Sequence, residues 1–544
     1  MRRLASIRSA MLLVAMVTAC APAQRTSVPL YDDLGTYSYA VTATPEAQRY
    51  FDQGIRLYYA FNHAEAIRAF EAAARLDERC AMCLWGVALS YGPNINAAMD
   101  SASGVAAFHA IREAQARLQH VTPREAALIR ALAARYVEVP PADRAPLDSA
   151  YAIAMRRVAE EYPNDIDASV LYAESLMDLS PWHYWNDDGT PRPGTSELLR
   201  ALEHVLSERS DQPGANHFYI HAVEEVDPAR ALPMAERLAG LMPGAGHIVH
   251  MPGHIYVRVG RYEDAIGVNE HAVHADETYI RDQRPSPGTY TGGYYPHNYD
   301  FLAFAASMVG RSGQALEAAR KLESIATPEL MGAPGMTFTQ HHDTRHLQLA
   351  VRFGRWDEIQ NAAAPAEEFQ HARAIWHYAR GRAFAARGDL PAARAELASL
   401  HAIARDSTLA ATRLEFNTAG ALHALAGEVL AGHIAAAAGD HDRAVTHLRE
   451  AVRHEDALNY GEPPEWTIPV RQDLGSVLLR AGRAKDAEAA FREDLRHFPD
   501  NGWSLHGLAE SLRAQGKTGD AAQVEQRFNT VWSRGDSPPG ASHH

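Results

Sequence analysis

The chain has 544 residues, 47% hydrophobic and 22% charged, which is too apolar for a disordered polymer and long enough for several domains or one solenoid. Acids outnumber bases 67 to 52, a formal charge of −15, so the chain lacks the basic excess that a general nucleic-acid partner requires. Histidine is abundant at 28 residues, lysine occurs only at Lys321, Lys485 and Lys517, and three cysteines exclude a disulfide-rich scaffold.

The N-terminus reads as an export signal. Arg2, Arg3 and Arg8 precede a short apolar run, Met11 to Val17, which falls well below the ~20 residues needed to span a bilayer. The run ends in Val17-Thr18-Ala19-Cys20, which resembles the lipobox of bacterial lipoproteins; the other reading is an ordinary secretory signal cleaved nearby. The resemblance implies loss of residues 1–19 and acylation of Cys20. With Ala21 in place of Asp, it also implies an outer-membrane anchor facing the periplasm or the surface, with the lipid as the only membrane contact. Residues 20–44 are expected to be a linker.

From residue 45 a periodic pattern takes over. A turn glycine followed five residues later by alanine recurs at Gly260/Ala265, Gly310/Ala315, Gly388/Ala393, Gly439/Ala444, Gly482/Ala487 and Gly516/Ala521. Gly354/Ile359 is a looser copy, and Phe61/Ala66 sits in the same frame without the glycine. Twelve residues before the alanine-type position a second small residue appears, as at Gly54, Gly253, Gly381, Gly432 and Gly475. A bulky residue follows at Phe70, Leu397, Leu448 and Phe491. Small residues at two fixed slots let antiparallel helices approach closely, and the bulky one fills the gap between neighbours. The pattern resembles the tetratricopeptide repeat, with the spacing Gly354 to Gly388 repeated at Gly482 to Gly516. It implies an all-α solenoid, a right-handed superhelix of helix pairs over 45–533, degenerate at 97–245, and then a polar tail over 534–544. Long Gly/Pro- and aromatic-containing loops interrupt it at 181–195, 281–296, 326–340 and 461–469, where scaffold repeats have short turns.

The register points the histidines inward. In the family, positions 2, 5 and 9 of each first helix face the concave groove, and His247, His250 and His254 fall there, with Pro252 as a possible helix start among them. His297 takes position 2 of the next unit and Asp300 position 5. Upstream, His217, His221 and Glu224 share one helical face; downstream, His342 and His346 lie one turn apart. Imidazoles at i, i+4 suit a divalent transition ion, and a carboxylate can complete the set. The expected ligands are therefore His217, His221, Glu224, His247, His250, His254 and His297, for zinc, copper or iron. Trp185, Tyr294, Tyr295, Asp300, His342 and His346 are expected as groove or loop contacts.

Cys80-Ala-Met-Cys83 has the spacing of a redox couple, a metal half-site or a small disulfide, and an exported chain favours the disulfide. Leu84 follows it, which does not support covalent haem attachment. There is no HExxH, no GxSxG and no phosphate-binding glycine loop, so no nucleotide chemistry is expected. The sequence therefore leaves three readings. One is a scaffold holding a protein, peptide or small molecule in a histidine-lined groove. The others are a metal-dependent redox or hydrolytic enzyme inside the solenoid, and a metal-sequestering protein.

Overall fold

The computed structural model describes residues 28–539, so the export signal, Cys20 and the last five residues lie outside it. The described chain is all-α. Its helices run as twelve successive pairs, beginning with Pro45–Tyr59 against His63–Leu76 and ending with Gly502–Ala514 against Thr518–Val531. The pairing continues through 97–245, where the sequence slots drift. This is the all-α solenoid of successive helix pairs that the spacing predicts.

The slots work as steric arguments require. The turn glycines from Gly260 to Gly516 hold φ between 64° and 80°, the left-handed region where a side chain is strained. Phe70 sits between Gly54 and Gly86 of successive first helices, where an added Cβ would approach its ring to 2.6 and 2.5 Å. Phe491 lies in the same way between Gly475 and Gly507, at 2.5 and 2.2 Å. Helix Ala419–Ala437 has the length and apolar content of a membrane span, but Leu422, Leu425, Val429 and Leu430 are buried in the solenoid.

The superhelix does not stay open. Trp503 Nε1 donates to the Ser307 carbonyl at 2.8 Å, Trp532 packs on Gly310, and Asp536 accepts from Ser312 and Gly313 backbone N–H groups at 2.6 and 3.0 Å. The last repeat and the start of the expected polar tail are thereby fastened to the middle of the chain. The described part of the expected linker is also packed: Tyr37 and Tyr39 are buried and donate to Asp167 and Asp165 at 2.7 and 2.8 Å.

Loops from distant repeats meet across the concavity. Trp182, from the 181–195 loop, stacks edge-on against Phe416 at 5.0 Å and donates to Asn96 at 2.9 Å. Tyr294 donates to Asn94, so the segment Gly92–Asn96 forms part of the rim. Glu465 accepts from the backbone N–H groups of Glu415 and Phe416 at 3.0 and 3.1 Å, joining the 461–469 loop to the 411–418 loop. These contacts lay loops over part of the concave side.

Candidate metal centre

Three successive first helices supply the histidines. Pro213–Val223 carries His217 and His221, and Glu224 caps its C-terminus. The next first helix is interrupted at Met251. Gly246–His250 carries His247 and His250, and Pro252–Arg258 carries His254. Met251 keeps helical φ and ψ, so the proline interrupts the hydrogen-bond ladder without turning His254 away from the other two. Tyr295–Met308 carries His297, immediately after a π-helical turn over Tyr290–Tyr294. His217, His221, Glu224, His247, His250 and His254 are all buried; His297 keeps partial exposure.

Four of the six rings are held by hydrogen bonds on their Nδ1 side, while His247 Nδ1 is buried without a partner. His217 Nδ1–H donates to the Tyr59 carbonyl at 2.7 Å. His221 and His254 donate to the two oxygens of Glu224, at 2.8 and 2.6 Å. His250 donates to Asn269 Oδ1 at 2.8 Å, and the amide cannot present its nitrogen because Nδ2 donates to the Ala265 carbonyl at 2.8 Å. The small slot of this repeat, Gly253, makes room for that amide: an added Cβ would lie 2.8 Å from Asn269 Nδ2. Each such bond fixes the tautomer that leaves Nε2 with a lone pair.

The Nε2 atoms converge. His217 and His247 face each other at 3.2 Å, and His250 and His254 at 2.9 Å, while His221 Nε2 is buried without a partner. At 2.9 Å two lone pairs repel unless a cation lies between them. A metal ion serves that purpose and engages all the nitrogens at once. Three sets of ligand atoms lie within 4.8 Å of one another: His217/His221/His247, His250/His254/His297 and His221/Glu224/His254.

Burial shapes the charge. Burial, with the neighbouring imidazoles adding to it, holds His217, His247 and His250 well below the usual histidine range, and takes His297 down to about 3. Burial also lowers His221. Burial alone would raise Glu224, but His254 and His221 overcome it and hold the carboxyl at about 2. The cage thus offers largely neutral imidazoles and one anion at neutral pH, the donor set that suits zinc, copper or iron.

The walls are aromatic. Phe61 packs on His217 and His247 with ring centroids at 4.5 and 5.4 Å. Phe301 packs on His250, His254 and His297 at 4.6, 4.5 and 5.1 Å. Tyr294 lies 4.7 Å from His247, and Trp182 lies 5.1 Å from His221. Behind Phe61, Ala60 and Asn62 border a cavity of about 540 Å³ between residues 29–34 and helix Tyr262–Gln283.

The other expected contacts divide. Tyr294 lies against His247, and Trp185 donates to the Ala222 carbonyl at 2.8 Å. His342 is buried against Glu415 at 3.0 Å. Tyr295, Asp300 and His346 are engaged elsewhere. Tyr295 donates to Glu277, Asp300 pairs with the buried Arg345 at 2.5 Å, and His346 bonds Glu358 and Glu323 between second helices. Cys80 and Cys83 form a disulfide at the start of helix Ala81–Ser90. Sequence reasoning missed Phe301, Asn269 and Arg345. It also missed a separate buried row, in which His341 meets His371 at 3.3 Å and His371 meets His423 at 3.1 Å.

Phe61 did carry a signal, as the one aromatic residue standing where other repeats have a turn glycine. It adopts φ 56°, a conformation that costs a side chain about 1–2 kcal/mol, in order to place its ring over the histidines. Phe61→Gly is therefore expected to be more stable than Phe61→Ala by about 1 kcal/mol, reversing the usual order. Guanidinium unfolding of the two variants checks this; an alanine variant that equals or exceeds the glycine one would refute the strain.

No protein-family model matches the chain, and no curated protein matches it. Among solved structures it is similar to the human IFIT1 dimer with m7Gppp-AAAA. The identity is 12%, the match covers 92% of this chain and 91% of that one, and the TM-score is 0.34. It is also similar to the Cut9–Hcn1 assembly of APC/C (11% identity, 90% and 76% covered, TM-score 0.30). The P58(IPK) TPR domain gives 11% identity, 87% and 99% covered, and a TM-score of 0.23.

Proposed function

We propose that the chain is a transition-metal protein whose histidine cage binds its ion inside a closed helical-repeat solenoid, and that the enclosed interior serves metal-dependent redox or hydrolytic chemistry. One observation carries the reading. Four Nδ1–H groups are spent on protein acceptors, so the Nε2 lone pairs converge on one buried space. That is how proteins orient imidazole ligands, through acceptors outside the coordination sphere. A groove for peptides would be open, and a sequestering surface would expose its histidines; burial of the cage and the loops closed over it favour neither. The export signal and acylation at Cys20 complete the proposal as an exported, lipid-anchored protein.

The test is elemental analysis of tag-free protein purified without chelators. Near-stoichiometric zinc, copper or iron is expected, and a His221→Asn/His254→Asn variant is expected to lose it. Wild-type protein that retains no ion after all three metals are added back would overturn the reading.

A further inference from the structure

We infer that the cage is a dinuclear centre, with His217, His221 and His247 holding one ion and His250, His254 and His297 holding a second. The inference rests on the metal-binding reading above and deepens it. Each set of three satisfies the distance condition by itself, and the two share no residue. Each has the same internal plan: one pair of facing Nε2 atoms, at 3.2 Å in the first and 2.9 Å in the second, plus a third imidazole. Each is backed by its own phenylalanine. Phe61 packs on His217 and His247, and Phe301 on all three members of the second set.

The competing arrangement is a single ion on His221, Glu224 and His254. It requires Glu224 as a ligand, but both oxygens of that carboxylate already accept Nδ1–H groups, one from each trihistidine set. Glu224 is better placed as the common acceptor that orients His221 toward one ion and His254 toward the other, the role carboxylates take behind metal-bound histidine. Across the boundary the rings stay close, with centroids 5.1 Å apart for His221 and His254 and 5.7 Å for His247 and His250. Three imidazoles leave a fourth position open on each ion. Two dications backed by one shared carboxylate keep a net positive charge. The ligand class it selects is a small oxygen donor able to bridge two cations, such as hydroxide or an oxyanion.

The experiment is a Co(II) titration of the chelator-stripped full chain, following the visible ligand-field bands and counting bound metal after gel filtration. Two equivalents are expected. His247→Asn and His297→Asn are each expected to retain one, with spectra that sum to that of the wild type, and the double variant is expected to retain none. Saturation at one equivalent, emptied by either substitution, would overturn the dinuclear centre and leave the metal-binding reading standing. No binding by wild-type protein would overturn both. Two equivalents that survive the double substitution would place the ions elsewhere and also overturn the inference. If a variant does not fold, anomalous diffraction from cobalt-soaked wild-type crystals decides, since two peaks in the cage support the proposal and one refutes it.

Discussion

Glu224→Gln is expected to weaken transition-metal binding by about 10- to 100-fold while leaving the helical solenoid folded. The glutamate accepts from His221 and His254 together, and no other acceptor for those two N–H groups is given by the structure. Glutamine offers one carbonyl oxygen and one NH₂ group. The ring that meets the NH₂ must turn its lone pair toward it, which moves the proton to Nε2 and points an N–H into the cage. One imidazole is then lost as a ligand although every side chain remains in place. Competition against a chromophoric chelator measures the affinity, and circular dichroism monitors the fold. A change of less than twofold would mean that Glu224 does not set the tautomers.

Arg345→Met is expected to destabilise the protein by about 3–5 kcal/mol, the cost of leaving one partner of a buried ion pair alone. Arg345 is 1% exposed and pairs with Asp300 at 2.5 Å, while also donating to the Glu465 carbonyl and to Thr467 in the 461–469 loop. It joins three repeats, and Asp300 adjoins Phe301, the ring that walls half of the cage. Replacing both partners, Arg345→Met with Asp300→Leu, should recover more than half of the loss, because the expensive element is the unpaired buried charge. Urea unfolding of the single and double variants checks this. A single-variant loss below about 1 kcal/mol would show that water reaches the pair.

The repeat was legible because its determinants are local. Gly54, Gly475 and the turn glycines act within one helix pair, through contacts that recur at fixed spacing whatever the rest of the chain does. The histidine faces were legible for the same reason: His217 and His221, or His250 and His254, are one helical turn apart, and the geometry of a turn is constant. The register was less reliable for His342 and His346. They also lie one turn apart, yet the boundary between the buried face and the outer face passes between them.

What depends on closure was not legible. The acceptor for His217 is a carbonyl 158 residues earlier, and Phe61 reaches the cage only because the first repeat curls back onto the fifth. Trp182 meets Phe416, and Arg345 meets the 461–469 loop, across spans in which small rotations per repeat accumulate. An acidic, all-α repeat protein with histidines at inward positions could be read from short stretches of chain, because side-chain size and helical period act over a few residues. The burial of those positions together beneath loops from distant repeats, and the nitrogen left free on His217, His221, His250 and His254, come from long-range packing. Those properties arise from the sum of many inter-repeat angles and from hydrogen bonds between residues far apart in the chain, and no short-range pattern records them.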